Sequence, residues 1–225
     1  MQGEVGKPAS YGELEEALSL ERFSRYLEWA GGDRGRAIEL YTLNTRLSES
    51  LYTPLQMLEV TLRNRIHAIM TEAHGEAWFQ DGTVLLGEWQ PEQLGKAITD
   101  VEADRKEPTP GRVVAALTFS FWTAMFGKNY DPLWQTTLHR IARRPDGKGL
   151  RRKDFSGPLA AIRSLRNRTA HHEPIIAWNL PKHYATIIDM TQWLSPSAAE
   201  WCRAHSRFLE VYPAEGITLA QETAG

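Results

Sequence analysis

Residues 53–74 carry an apolar stripe at the spacing of an α-helix, and no other feature constrains the fold more strongly. The apolar side chains recur every three or four residues, at Leu55, Leu58, Leu62, Ile66 and Ile69. This spacing places them on one face of a helix, and that face must be buried against other elements. The segment therefore predicts a core helix in a helical bundle.

The remaining segments repeat helical spacing, and none alternates between polar and apolar residues with hairpin turns at its ends. Residues 34–51 and 53–74 are predicted as two separate helices, and residues 112–126 as one buried or interface helix with its aromatic side chains in the core. Prolines stand where helices are expected to begin, at positions 54, 91, 132, 158, 181 and 196.

The composition fits one well-buried core, because 42% of the 225 residues are hydrophobic and 24% are charged. We expect one all-α domain over residues 1–225, with flexible tails at 1–10 and 213–225. The N-terminal sequence does not resemble a signal peptide, and no apolar run approaches the length of a membrane span. Cys202 is the single cysteine and cannot form an internal disulfide, so a cytoplasmic location away from membranes is expected.

Chemically reactive side chains are concentrated in residues 159–180, LAAIRSLRNRTAHHEPIIAWNL. We expect a helix that begins at the Ser-Gly-Pro sequence 156–158. It should end near His172, because Pro174 disfavours helical geometry at the residue before it. The helix is indicated by three apolar residues at helical spacing, Leu159, Ile162 and Leu165.

Arg166, Asn167 and His171 are candidates for a phosphodiester-cleaving site. Asn167 and His171 are four residues apart and share a helix face, and the long side chain of Arg166 can fold back towards the same cleft. An imidazole serves as base or acid near neutral pH, and a guanidinium presents a planar fork to phosphate oxygens. An amide can hold a phosphate oxygen or orient the imidazole. We therefore expect the three side chains to converge and to cleave RNA without a metal.

Other interpretations of this cluster stay open. Arg, Asn and His at a helix end can cap carbonyl groups and favour the negative end of the helix dipole. The sequence leaves open whether His171 or its neighbour His172 acts. These histidines with Glu173 are potential metal ligands, but no second ligand cluster follows at zinc spacing, so neither a metal nor a cofactor is expected.

A polar ridge runs beside the apolar stripe of residues 53–74. Glu59, Arg63 and His67 recur every fourth residue, and Asn64 follows Arg63. The ridge either orients the motif helix and lines an RNA cleft, or it forms ordinary intrahelical pairs worth about 0.2–0.5 kcal/mol each. Asn44 interrupts the apolar face of residues 34–51, and we predict that it is buried with its side chain bonded to the backbone.

Residues 140–168 form a basic segment. They contain ten Lys or Arg against two Asp, a net charge of +8, although the whole chain carries a net charge of −2. A basic run that leads into the Arg/His motif favours contact with an RNA backbone, whereas the alternative is a solvated loop. The residues of this segment expected to contact RNA or to support the site are Arg151, Arg152, Lys153 and Arg168, together with His172 just after it.

The motif resembles that of a known superfamily. Arg166 and His171 fit the R-x4–6-H motif of HEPN (higher eukaryotes and prokaryotes nucleotide-binding) domains, and LRNRTAHHEPIIAWN is similar to a signature of Abi-like, abortive-infection proteins. Further stretches extend the resemblance over residues 20–195, namely LYTLN at 40–44, LEVTLRN at 58–64 and LTFSFWTAMF at 117–126. The resemblance implies a HEPN-like helical bundle with additional N-terminal helices.

The resemblance also implies an activity. A protein of this kind is a metal-independent endoribonuclease that acts as a toxin or an abortive-infection effector in phage defence, and an antitoxin or regulatory partner is an accompanying expectation. Arg166 would stabilise the phosphorane, His171 would act as base or acid, and Asn167 would position them. The alternative is a non-catalytic helical module that binds RNA or protein.

A homodimer with a composite active site is expected for two reasons. RNA cleavage needs two proton-transfer groups or one group used twice, and a two-fold axis would bring two motifs together. The resemblance agrees, because HEPN ribonucleases build their cleft at a dimer interface. The apolar segment 112–126 is expected to contribute to that contact.

Overall fold

The computed structural model describes residues 16–18 and 20–220, and every regular element in this part of the chain is helical. The all-α prediction is therefore confirmed, while the expected tail at 1–10 lies outside the described residues. The α-helices are α1 (Leu20–Trp29), α2 (Arg34–His74), α3 (Trp89–Ala103), α4 (Pro110–Ala116), α5 (Phe119–Ala124), α6 (Asp131–Thr136), α7 (Arg152–Ala170), α8 (Leu180–Leu194), α9 (Pro196–His205) and α10 (Phe208–Val211).

α2 is one helix of 41 residues where the sequence predicted two. The side chain of Asp33 caps its first turn by accepting a hydrogen bond from the Arg36 amide, and Gly75, at a φ of 86°, ends it. Pro54 lies inside the helix, which costs about 3 kcal/mol. Leu51 and Leu55 are buried on either side of it. Burial of each such side chain contributes about 1.5–3 kcal/mol, so the stabilisation from continuous packing exceeds the cost of the proline.

α7 begins at Arg152, ahead of the predicted start at the Ser-Gly-Pro sequence, and it contains Pro158. The carboxylate of Asp154 accepts a hydrogen bond of 2.8 Å from the Arg151 amide and supports the first turn. Phe155 is fully buried against Phe126 and other aromatic rings, which extends the buried face of the helix to the N-terminal side of the proline. The helix ends at Ala170, two residues before the predicted end.

Residues 112–126 form parts of two short helices, α4 and α5, instead of one. Thr118 separates them, and its side chain caps α5 by accepting from the Phe121 amide at 3.4 Å. The prediction that the aromatic residues belong to the core is confirmed, because all are buried within the chain: Phe119, Phe121, Trp122 and Phe126. These four rings are therefore not exposed for the dimer contact that we expected this segment to make.

α2 is the centre of the bundle and packs against α1, α5, α8, α9 and α10, while α7 packs against α5 and α8. After α10 the chain returns to α1, where the Ala220 amide donates a hydrogen bond of 2.7 Å to the Trp29 carbonyl. Ile217 and Leu219 pack against the core. Residues 213–220 are therefore held to the bundle, while residues 221–225 of the expected tail lie outside the described residues.

Asn44 joins α2 to the loop that follows α7. Its Oδ1 accepts a hydrogen bond of 2.7 Å from the Ile175 amide, and the side chain is almost completely buried. This contact confirms the prediction of a buried asparagine bonded to backbone. It holds the loop in register, because the neighbouring side chains of Ile175 and Ile176 are also buried.

Asn44→Ala is expected to lower the free energy of unfolding by about 1–3 kcal/mol, because the buried Ile175 amide would lose its acceptor. Chemical denaturation followed by circular dichroism measures the change. Asn64→Ala is the matched control, since it makes the same substitution at an exposed position of the same helix and should stay within about 0.5 kcal/mol of wild type. Equal losses in the two variants would contradict the structural role of Asn44.

Candidate functional site

A closed backbone turn ends α7 at the two motif histidines. The His172 amide donates to the Thr169 carbonyl at 3.2 Å, and the Glu173 amide donates to the Arg168 carbonyl at 2.8 Å, which is the Schellman pattern. Glycine usually occupies the position of His172, which has a φ of 57° here. A left-handed conformation costs a residue with a side chain about 1–2 kcal/mol. His171 precedes it with a negative φ of −94°, so the adjacent histidines differ in backbone conformation.

A groove of about 540 Å³ separates α2 from the end of α7. One wall is a single face of α2, whose residues recur at three- and four-residue spacing: Tyr52, Leu55, Gln56, Glu59, Val60 and Arg63. The other wall is formed by the last turn of α7 and the residue after its cap: Arg166, Thr169, Ala170 and His172. The groove therefore combines an apolar part with a cluster of charged and titratable side chains.

Two arginines in the groove differ in their partners. Nε of Arg166 lies 3.6 Å from Oε2 of Glu59, so these charges offset each other across the groove. Arg63 donates from Nη1 to the Ala115 carbonyl at 3.3 Å, and it has no acidic partner among the described residues. Its buried Nε also has no hydrogen-bond partner there. Arg63 is therefore the positive charge in the groove that is not neutralised by a carboxylate.

The groove brings Arg166 together with His172 but not with Asn167 or His171. Asn167 and His171 are exposed and do not line it. One step along a helix rotates a side chain by about 100°, so Asn167 follows Arg166 onto a different face. The predicted convergence of Arg166, Asn167 and His171 is therefore not formed within one chain, where Arg166 instead reaches Glu59.

The polar ridge of α2 divides into two parts. Glu59 and Arg63 line the groove, as the cleft interpretation of the ridge requires. His67 lies deeper, and its Nδ1 accepts a hydrogen bond of 3.0 Å from Nε1 of the buried Trp78. Burial lowers the pKa of His67, which favours the neutral ring that this bond requires. Asn64 is exposed and lies outside the groove lining.

Arg168 supports the turn after α7. Its guanidinium lies over the Trp178 ring, 5.4 Å from the ring centroid, and pairs with Glu173 at 3.2 Å. These contacts join the end of the helix to the loop before α8. Arg168 does not line the groove, so its observed contacts are structural.

The cations at 151–153 lie at the opposite end of α7 from the motif. Lys153 and Arg166 are separated by thirteen residues, or about 20 Å along the helix. Arg152 is mostly buried, pairs with Asp131 at 3.0 Å and donates to the Phe126 carbonyl. Arg151 pairs with Asp154 at 3.1 Å. Closeness in sequence therefore does not bring this basic cluster close to the groove.

Tyr52 and Gln56 line the groove although the sequence reasoning did not select them. The side chain of Tyr52 is 66% exposed, which is unusual for a large aromatic residue in this fold. Both residues continue the ridge of Glu59 towards the N-terminus at helical spacing. The predicted helix break at Pro54 excluded Tyr52 from that ridge, whereas a continuous helix would have included it.

Other chemical sites have little support in the part of the chain that the structure describes. No group of three or more His, Cys, Asp or Glu side chains there could hold a metal ion. Cys202 is buried, and burial raises the pKa of its thiol to about 11, so the thiol is protonated at neutral pH. Among the described helices, none is both long and apolar enough to cross a membrane.

Comparisons with protein-family models, with curated proteins and with solved structures find no match for this chain. The resemblance to HEPN and Abi-like proteins therefore rests on the motif residues and the stretches around them. The geometry of the groove provides an independent basis for a proposal about function.

His67 should make stability depend on pH. Its pKa is lowered from 6.5 mainly by burial, although Glu76 acts in the opposite direction. The unfolded chain then binds more protons as pH falls below about 6.5, so this part of the stability is complete above that pH and is lost below it. His67→Gln keeps an acceptor for Trp78 but cannot titrate, and it should lose less stability than wild type between about pH 7.5 and pH 5.5.

Denaturant unfolding at the two pH values measures this difference. His183→Gln is the control, because burial also lowers the pKa of His183 and its substitution should remove a separate part of the pH dependence. An unchanged slope of stability against pH in His67→Gln would show that His67 does not contribute.

Proposed function

We propose that this protein is a metal-independent endoribonuclease and that the groove between α2 and α7 is its cleavage site. The observation that carries the proposal is the presence of Arg63, Arg166 and His172 in one groove. Two guanidiniums can hold the phosphate and stabilise the charge of a phosphorane, while an imidazole transfers a proton. This set performs the chemistry that the Arg/His motif predicted, with no need for a metal.

The groove suits single-stranded RNA better than a duplex. Tyr52 offers an exposed ring about 10 Å along α2 from Glu59, and bases of single strands stack on such rings. Leu55 and Val60 supply an apolar floor between the ring and the charged residues. Bases in a duplex are already stacked on each other, so a single-stranded loop or end is the substrate that this surface favours.

Either motif histidine satisfies the R-x4–6-H spacing from Arg166. His172 lines the groove with Arg166, which supports it as the proton-transfer group within one chain. Asn167 and His171 do not line the groove, so the role expected for them requires a surface supplied by another molecule. A homodimer with a composite site is the arrangement in which they would act, and it is the alternative geometry for the same function.

The alternative function is a non-catalytic module that binds RNA or protein, and the ion pairing of the basic segment favours a protein partner over RNA for such a module. Six cations of the segment have acidic partners, which weakens its attraction for a phosphate backbone: Arg140, Lys148, Arg151, Arg152, Arg166 and Arg168. Such a module would bind without cutting. A role as a toxin or abortive-infection effector, with an antitoxin partner, belongs to the nuclease proposal and follows from the motif resemblance.

Cleavage of labelled single-stranded RNA should proceed in EDTA and leave 2′,3′-cyclic phosphate ends, because the 2′-hydroxyl is the nucleophile. His172→Asn and Arg166→Ala should each slow cleavage by about 10²-fold or more. Asn tolerates the left-handed backbone at position 172, and His171→Asn is the matched control, with a rate close to wild type. Gel electrophoresis of the products and single-turnover rates measure these effects.

Each contrary result has a distinct meaning. Binding without cleavage in the wild type would support the non-catalytic module. Loss of activity in His171→Asn alone would make His171 the catalytic residue, as the sequence predicted. A requirement for magnesium, or products with 5′-phosphate ends, would contradict the proposed chemistry.

Mixing Arg166→Ala chains with His171→Asn chains tests the composite site. If the groove works within one chain, the mixture should show no more than the summed activities of its two components. Light scattering on the same samples determines whether the chains associate. Activity well above that sum would establish that each site takes residues from two chains.

A further inference from the structure

Glu59 is the one carboxylate among the residues that line the groove. Its side chain is 21% exposed, so it is partly buried while still open to the groove. It lies on the α2 wall, across from the wall that carries His172. A carboxylate and an imidazole on opposite walls are two different proton-transfer groups, and RNA cleavage by the 2′-hydroxyl uses two such groups or one group twice.

We propose that Glu59 is the catalytic proton acceptor of this groove and that His172 is the donor, so that one chain holds a complete site. The inference rests on the proposed ribonuclease function and extends it to a residue outside the Arg/His motif. It also removes the chemical reason for requiring a second chain, which was that one motif supplies one imidazole.

The proposed step balances in protons and bonds. Glu59 takes the proton of the 2′-hydroxyl as the 2′-oxygen forms its bond to phosphorus. The bond from phosphorus to the 5′-oxygen then breaks, and protonated His172 gives its proton to that oxygen. The products are a 2′,3′-cyclic phosphate and a 5′-hydroxyl, while Arg63 and Arg166 hold the non-bridging phosphate oxygens.

The contact with Arg166 connects Glu59 to the phosphate position. The carboxylate lies 3.6 Å from Nε of Arg166, so a phosphate bound to that guanidinium lies next to the carboxylate. Both side chains are partly exposed, and such ion pairs are weak enough for a phosphate to compete with the carboxylate. The same contact also permits a purely structural role, in which Glu59 only neutralises and positions Arg166.

Removal of the negative charge separates these roles, because they predict different changes in cleavage. Glu59→Gln frees Arg166, so the affinity for an uncleavable 2′-O-methyl single-stranded RNA should stay equal to wild type or increase, unless Glu59 is needed to position Arg166. If Glu59 is the proton acceptor, single-turnover cleavage in EDTA should nevertheless fall by about 10²-fold or more. If Glu59 only neutralises Arg166, cleavage should be unchanged or faster.

The pH–rate profile supplies a second readout. The wild-type profile should be bell-shaped, and Glu59→Gln should lose its acidic limb, whereas His172→Asn should lose its alkaline limb. Glu59→Asp keeps a carboxylate and should recover part of the lost rate. Glu49→Gln is the matched control, since it removes an exposed carboxylate from the same helix outside this groove and should cleave at the wild-type rate.

A Glu59→Gln variant that binds RNA and cleaves it at the wild-type rate would overturn the assignment of Glu59 while leaving the nuclease function intact. Weaker binding of the uncleavable RNA by this variant, in proportion to its loss of cleavage, would also overturn it in favour of a structural role. A wild-type protein that binds RNA but cuts none in EDTA would contradict the proposed function itself.

Discussion

Burial of one side of α2 is the interaction on which the rest of the structure depends. Its apolar residues remain in the core from Leu40 to Ile69, and α1, α8, α9 and α10 pack against the same helix. Several buried leucines, at about 1.5–3 kcal/mol each, exceed the cost of about 3 kcal/mol for the interior Pro54. A different face of α2 carries the groove wall from Tyr52 to Arg63, so fold and candidate site share one helix.

Polar contacts fix the opposite wall of the groove. The Schellman turn stops α7, and the bond from the Ile175 amide to Asn44 ties the following loop to α2 across 131 positions of sequence. Because Ile175 and Ile176 are buried, the residues between the end of α7 and Ile175 have little conformational freedom. This restriction accounts for His172 in a conformation that glycine usually adopts. The position of His172 in the groove is therefore a consequence of backbone closure as well as of the motif.

The ion pairs separate cations that hold the fold from cations that can bind a ligand. Arg152 is mostly buried against Asp131 and a backbone carbonyl, so its charge is committed to the fold. The pair of Arg166 with Glu59 is partly exposed, and pairs of this kind contribute only about 0–1 kcal/mol. A phosphate can replace such a partner at little cost. An ion pair alone therefore does not prevent Arg166 from binding a phosphate, whereas burial does prevent Arg152 from doing so.

The sequence by itself determined the helical class, the core aromatic residues, the buried Asn44 and the approximate end of the motif helix, because these follow from local spacing, polarity and proline geometry. It also selected Glu59, Arg63 and Arg166 as candidate site residues. Only the tertiary structure decided that α2 continues through Pro54, that Tyr52 joins the groove, and that the cations at 151–153 lie far from the motif. These outcomes depend on burial summed over many distant contacts, which no local pattern records. The choice between His171 and His172 as the groove residue also needed the tertiary structure, because the bond from the Ile175 amide to Asn44 holds the loop after the local Schellman turn against α2.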